Sequence, residues 1–182
     1  AEEEVASAKL AAVEMLRSGT TCFLEAGTIY HLDEVFSELS KVGIRGRLGK
    51  WIWDLPPEPV IYRQSTDVAI ENLNRQLERY NKPSELLSAW STLVGHTTCS
   101  DPLWREAKAL AIKHDVGMSF HMSPAQIDPD GFVAEFGHRP IVHLAEIGVL
   151  DDRCALTHMV RVNDAEVDIL AESGASVAHC PT

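Results

Sequence analysis

Apolar positions along this chain alternate between two rhythms. Short apolar runs of strand length are separated by stretches in which apolar side chains return every three or four residues, as on one face of a helix. From Glu2 to Arg17, Val5, Ala8, Ala12, Met15 and Leu16 share one side, acids fill the first turn, Arg17 sits in the last and Gly19 can end the helix. Thr20 to Glu25 reads as a strand. A second helix follows the turn at Gly27 to His31, with Val35, Phe36, Leu39 and Val42 at core spacing and Gly43 as its break. Ile44 to Trp53 is a second strand region, interrupted by a stiff loop at Pro56-Pro57-Glu58-Pro59. Ser65 or Thr66 can cap a third helix to about Tyr80, with Val68, Ile70, Leu73 and Leu77 on its buried side.

The alternation continues to the end of the chain. Glu85 to Val94 is a third strand, and Ser100-Asp101-Pro102 opens a helix to about Lys113, since proline suits a first turn. Three further strands close at His121, at His158 and at Val177 to Cys180. Six strands alternating with helices predict a parallel α/β architecture, either an open sheet or an arc of a barrel. The glycine-rich phosphate loop of nucleotide-binding sheets is absent, which weakens a Rossmann reading while leaving a flavodoxin-like one open.

Charge and cysteine usage narrow the function. The 182 residues carry 16 Lys plus Arg against 27 Asp plus Glu, a formal charge of −11 with no basic cluster, so neither nucleic acid nor an anionic membrane is an expected partner. Cys22, Cys99, Cys154 and Cys180 are scattered, without the close pairing of a zinc knuckle, and fit reduced thiols in a cytoplasmic protein. No apolar run reaches a membrane span, and the acidic start is opposite in sign to a secretory signal.

The candidate chemistry lies between Val116 and Thr182. His121, His158 and His179 each end a strand-like run, and parallel sheets gather their chemistry at that carboxyl edge because the loops there converge on one pocket. One such histidine is an ordinary polar terminus; three in register suggest a metal or proton-transfer site. His96 follows the third strand and faces the same mouth or solvent. Trp51, Trp53 and Trp90 could shape an apolar pocket or simply pack, and Glu25 could meet a ligand or cap a helix. His114, His138 and His143 belong to helices or their approaches and read as structural, and His31, like His96, faces the mouth or solvent.

The blocks Leu16-Arg-Ser-Gly-Thr-Thr-Cys-Phe-Leu-Glu25, Gly137-His-Arg-Pro-Ile-Val-His-Leu-Ala-Glu-Ile-Gly-Val-Leu150, Leu156-Thr-His-Met159 and Val177-Ala-His-Cys-Pro-Thr182 resemble the amidohydrolase superfamily. The nearest branch holds cytosine, guanine and adenosylhomocysteine deaminases and triazine chlorohydrolases. The resemblance implies a (β/α)8 TIM barrel of the metal-dependent hydrolase type, with the six strands here as its second to seventh. Residues 1–182 then form one barrel domain, incomplete at both ends.

That resemblance assigns roles residue by residue. His121 matches the fifth-strand metal ligand, and His158 matches the sixth-strand histidine that polarises the substrate or steers the metal-bound water. His179 lies in a seventh-strand block and lines or braces the pocket; His96 and Trp53 are candidate substrate contacts. The family's His-x-His pair and its eighth-strand aspartate have no counterpart here. The implied cofactor is a divalent metal, zinc first, with iron or cobalt as alternatives. One ligand does not hold an ion that needs three or four, so this chain is expected to bind none stoichiometrically and to be inactive alone.

Two substitutions bear on the reaction. Deaminases of this branch carry His-x-x-Glu on the fifth strand, where the carboxyl shuttles a proton; here the spacing gives His121-Met-Ser-Pro124. Ser123, Asp128 and Asp130 are the nearby replacements. Arg161 stands where a second histidine often follows the first by three. Together these favour amide, carbamate, urea or halide hydrolysis over ring deamination. The expectation is a hydrolase of carbon–nitrogen bonds in a small molecule, against a catalytically silent ligand- or partner-binding scaffold and a flavodoxin-like module. Unpaired strand edges in a partial barrel further predict a homo-oligomer.

Overall fold

The computed structural model describes residues 1–27, 29–56, 63–82 and 85–180. The chain runs α1 (Glu2–Arg17), β1 (Cys22–Leu24), α2 (Leu32–Val42), β2 (Arg45–Leu48), α3 (Thr66–Tyr80), β3 (Leu87–Ala89), β4 (Ser91–Gly95), a 3-10 turn at His96–Thr98 and α4 (Asp101–Lys113). There follow β5 (Met118–Met122), α5 (Ile127–Phe136), α6 (Pro140–Glu146), β6 (Cys154–His158), α7 (Asp164–Ser173) and β7 (Ser176–His179).

Among the described residues every strand pairing is parallel, and the order follows the sequence, β1-β2-β3 and then β4-β5-β6-β7. β3 and β4 are the two halves of the expected third strand, divided at Trp90, where the chain leaves one set of neighbours for the next. Ile52 bridges to Leu93, and its N–H and C=O bond Thr92 O and Val94 N, carrying the first sheet onto the second. A doubly wound sheet reverses its strand order midway; this order never reverses, which makes the sheet an arc of a (β/α)8 barrel and removes the flavodoxin-like reading.

Local chemistry sets the helix starts. Ser65 Oγ accepts Val68 N–H at 3.3 Å to begin α3, and Ser100 Oγ accepts Leu103 N–H at 3.4 Å to begin α4, with Pro102 in the first turn. α7 opens with a capping box in which Asn163 and Glu166 satisfy each other's backbone donors. Glu166 is fully buried, and it also accepts Arg139 Nε at 2.7 Å and Ile141 N–H at 3.2 Å, tying α6 to α7. Arg139 donates besides to Arg161 O, in the loop after β6.

The main core lies between the sheet and its helices. Met118, Phe120 and Met122 point outward from β5, and Phe120 meets Trp104 of α4 edge-on at 4.9 Å. Period-two alternation sends Ser119 and His121 to the other side, into the mouth of the arc. A second core cluster joins α2, with Val35, Phe36 and Leu39, to Ile44, Leu48 and α1.

Several expectations change. Val68 is exposed, because α3 turns Ala69, Leu73, Gln76 and Leu77 inward. In α1 only Ala12 is buried and Leu16 is exposed. The second helix starts at Leu32, after the turn as expected, but the second strand shortens to four residues before an irregular Gly49 to Trp53 segment. Cys99 and Cys154 are buried as expected, whereas Cys22 is exposed and Cys180 is half-buried. The proline loop lies from residue 57 onward outside the described residues. No helix of the described residues is long and apolar enough to cross a membrane.

Candidate active site

The carboxyl ends of β4, β5 and β6 bring His96, His121 and His158 together. His121 Nδ1 lies 3.1 Å from His158 Nε2, and His121 Nε2 lies 3.2 Å from the carbonyl oxygen of Ala26, just beyond β1. A carbonyl only accepts, so Nε2 of His121 carries the proton when the ring is neutral. Its Nδ1 then accepts from His158 Nε2–H. The His96 and His121 ring centres are 6.1 Å apart, and those of His121 and His158 5.2 Å.

Alternation alone would not produce this meeting. His158 belongs by parity to the outward face of Cys154 and Leu156, yet its φ of +84° and that of Met159, +52°, break the extended pattern and bring the imidazole to His121. The loop that holds this conformation is bonded to the end of β5: Met159 N–H donates to Met122 O, and Val160 and Arg161 N–H both donate to Ser123 O, each at 3.0 Å. His96, φ +54°, and Ser123, φ +53°, also adopt the left-handed region right after their strands. Four such non-glycine residues at one sheet edge are a concentration of backbone strain that the surrounding bonds must maintain.

Electrostatics favour the neutral forms of His121 and His158. Burial lowers the pKa of His121 below its usual value, and the positive potential of His158 and His96 lowers it further, against the Ala26 carbonyl. His158 is lowered by burial and by His96, with Asp128 opposing. Neutral imidazoles offer lone pairs and accept protons, as a site for water activation requires.

The aromatic wall is Trp51. Its ring meets His121 edge-on, 5.7 Å between centres, and its indole N–H donates to the same Ala26 carbonyl. Trp53 stands 6.1 Å beyond Trp51 and packs partly on the main core. Trp90 lies over Gly117 at the amino edge and does not reach the site. His179 sits beside His158 in the strand register, with its Nδ1 3.0 Å from His158 O. Glu25 binds the Gly27 N–H at 2.6 Å. His143 is buried against Asp101, at 2.8 Å, and stacks on Phe136, while His114 pairs with Asn74.

Asp128 was one of three replacements open at the sequence level, and the structure separates them. Its buried carboxylate accepts Ser123 N–H at 2.6 Å and lies 3.0 Å from His96 Nδ1. Asp130 instead accepts from Gln126 at the surface, and Ser123 is fully buried. Spacing alone could not select Asp128, because its reach depends on the turn between β5 and α5.

A metal centre is not complete in these residues. Among the described residues, no group of three or more His, Cys, Asp or Glu side chains is placed to hold an ion. Both ring nitrogens of His121 are occupied, one by Ala26 O and one by His158, so ligation would have to displace a partner.

The family model described as "Amidohydrolase family" matches residues 1–182. A 5-methylthioadenosine/S-adenosylhomocysteine deaminase of Halobacterium salinarum is 31% identical over 179 residues, covering 97% of this chain and 40% of that protein. The Aquifex aeolicus protein of the same name is 33% identical over 183 residues, with 96% and 39% covered. Among solved structures, an adenosine deaminase from Xanthomonas campestris with bound zinc superposes with a TM-score of 0.81 at 28% identity, covering 97% of this chain and 39% of that one. An atrazine chlorohydrolase from Arthrobacter aurescens with zinc and atraton shares the fold, with a TM-score of 0.87 at 18% identity and 97% and 42% covered. The chain thus spans about two fifths of the length of the curated relatives it matches.

Proposed function

Because this chain belongs to the amidohydrolase family, we propose that it forms the carboxyl-edge wall of an enzyme hydrolysing a carbon–nitrogen bond in a small molecule. The observation that carries the reading is the His121–His158 contact of 3.1 Å in a strained, loop-braced edge. Packing alone does not need two neutral imidazoles there, whereas water attack on a carbon needs groups that hold and orient the water and accept its proton. In this reading His158 orients that water and stabilises developing charge, and Trp51 and Trp53 wall the substrate side.

In the family such chemistry is supplied by a divalent ion, zinc in the Xanthomonas and Arthrobacter structures. His121 is the residue of this chain that would take part in holding one. The described residues do not complete the ion's donor set, so no step is derived through it. The work of the chain's own residues is to bind, orient and move protons.

The deaminase relatives point to an aminated heterocycle such as an adenosine derivative as the substrate class. Pro124 favours instead an amide, carbamate, urea or ring-substituent substrate, because the carboxyl of His-x-x-Glu is missing. Product analysis separates the two. The protein, in its full natural length and supplied with zinc, is incubated with 5′-methylthioadenosine and with N-alkylated triazines, and ammonia and alkylamine are quantified. Release of either, lost in His158→Ala, supports hydrolysis; no release from any substrate leaves the site as a binding scaffold.

A further inference from the structure

Asp128 lies in the first turn of α5 with its carboxylate buried and both oxygens in use. Oδ2 accepts Ser123 N–H at 2.6 Å, and Oδ1 faces His96 Nδ1 at 3.0 Å. An ionised carboxylate offers only lone pairs, and two facing lone pairs at that distance repel. A proton on His96 Nδ1 relieves that repulsion and, in the neutral ring, leaves Nε2 as the nitrogen with a free lone pair. The arrangement is that of a buried acid fixing the tautomer of a working imidazole.

His96 borders the site on one side, its ring centre 6.1 Å from that of His121, and opens on its other side to a separate space. His96 and Asp128 line a cavity of about 430 Å³ together with Leu55, Thr98, Pro124 and Ile127. Pro124 thus borders the same space in which it can offer no proton carrier. Ser123 links the two halves of the site, since its N–H holds Asp128 while its C=O holds the His158 loop.

We propose that His96 is the acid–base residue of this site and that Asp128 positions it, together filling the proton-transfer role that proline at 124 cannot. This rests on the hydrolase reading. As water's oxygen bonds to the substrate carbon, one of its O–H bonds breaks and the proton passes to His96 Nε2. The resulting imidazolium, stabilised by Asp128, returns that proton to the leaving nitrogen as the carbon–nitrogen bond breaks with its electron pair. Water is added across the bond and His96 is restored.

The test reads the tautomer directly, by imidazole 15N chemical shifts in histidine-labelled protein. Wild type should show His96 protonated at Nδ1. In Asp128→Asn the amide oxygen stays on Ser123 N–H and the amide NH2 faces His96, so the proton should move to Nε2. An Nε2-protonated wild type, or a tautomer unchanged in Asp128→Asn, would overturn the assignment; if Asp128→Asn fails to fold, the wild-type tautomer decides. With turnover in hand, Asp128→Asn should lower kcat by about 10²–10⁴-fold with KM nearly unchanged. A kcat within threefold of wild type would also overturn the proposal. An inverted tautomer in a protein that turns over no substrate would support the Asp128–His96 pairing and reject the hydrolase reading.

Discussion

Gly95 is where β4 meets β5 at the rim of the site, and replacing it with alanine tests that geometry sharply. Its φ is +88°, and a Cβ added there would lie 2.0 Å from His121 O and 2.9 Å from His121 N. Real Cβ contacts stay above 3.0 Å, so one backbone must move by about 1 Å, and neither is the free end of a side chain. With ψ at −153° this backbone lies outside αL, in a region essentially confined to glycine, which alone costs alanine about 1–3 kcal/mol. The overlap adds about 1–3 kcal/mol, because two hydrogen-bonded strands must separate. Gly137 supplies the control, with φ +75° at the end of α5 and nothing within 4 Å of its added Cβ. Urea unfolding at pH 7 should therefore show Gly137→Ala, in αL, weaker by about 1–2 kcal/mol and Gly95→Ala by about 2–6 kcal/mol. Equal costs for the two variants would mean that β4 and β5 do not approach as described.

Other perturbations probe different parts of the molecule. Glu166→Ala removes the partner of Arg139 and strands two backbone donors, so chemical denaturation should show a loss of about 3–5 kcal/mol, and Glu166→Gln a smaller one; a loss under about 1 kcal/mol would exclude a stabilising role for the pair. Burial pushes the Cys99 thiol up to about 12 and raises that of Cys154, so a thiol reagent at pH 8 should modify Cys22 and Cys180 in the native chain and spare the other two. The unfolded Cys99 ionises near its ordinary value of 9.0, so its contribution is whole below that pH and declines as pH rises toward about 12; alkaline stability unchanged in Cys99→Ala would contradict this. Desalting after equilibration with zinc should leave the 182-residue chain with less than one ion per molecule by elemental analysis, since among the described residues no group of three ligands is placed to hold an ion; one tightly held ion per chain would refute it.

Much of this was legible from residue pattern. The six strands, their parallel sense and the arrival of His121, His158 and His179 at one edge followed from periodicity and from where each apolar run ends, whereas His96 was open between the mouth and solvent. Periodicity does not report where a strand changes neighbours, so the break at Trp90 was invisible. Nor does it report left-handed backbone, and strict alternation would have turned His158 away from His121. Trp51 and Trp53 occupy the same side in any extended reading; only the Ala26 carbonyl, reached from β1 by both Trp51 and His121, decides which tryptophan faces the histidines. Asp128 could be named only as one of three candidates, because a side chain six residues past β5 returns to Ser123 through a turn that no motif marks. The exposed Val68 shows the same limit in α3, where the small Ala69 takes the buried position against the sheet.

The central claim is that His121 and His158 share one pocket at the carboxyl edge. Ring-proton nuclear Overhauser effects in the histidine-labelled protein measure this directly, because hydrogens on imidazoles joined through nitrogens 3.1 Å apart lie within range. The account predicts a cross-peak between the two rings that vanishes in His158→Ala while the Trp51 to His121 contact persists. Rings that show no mutual effect, with His158 instead in contact with Leu156 or the α7 core, would contradict it.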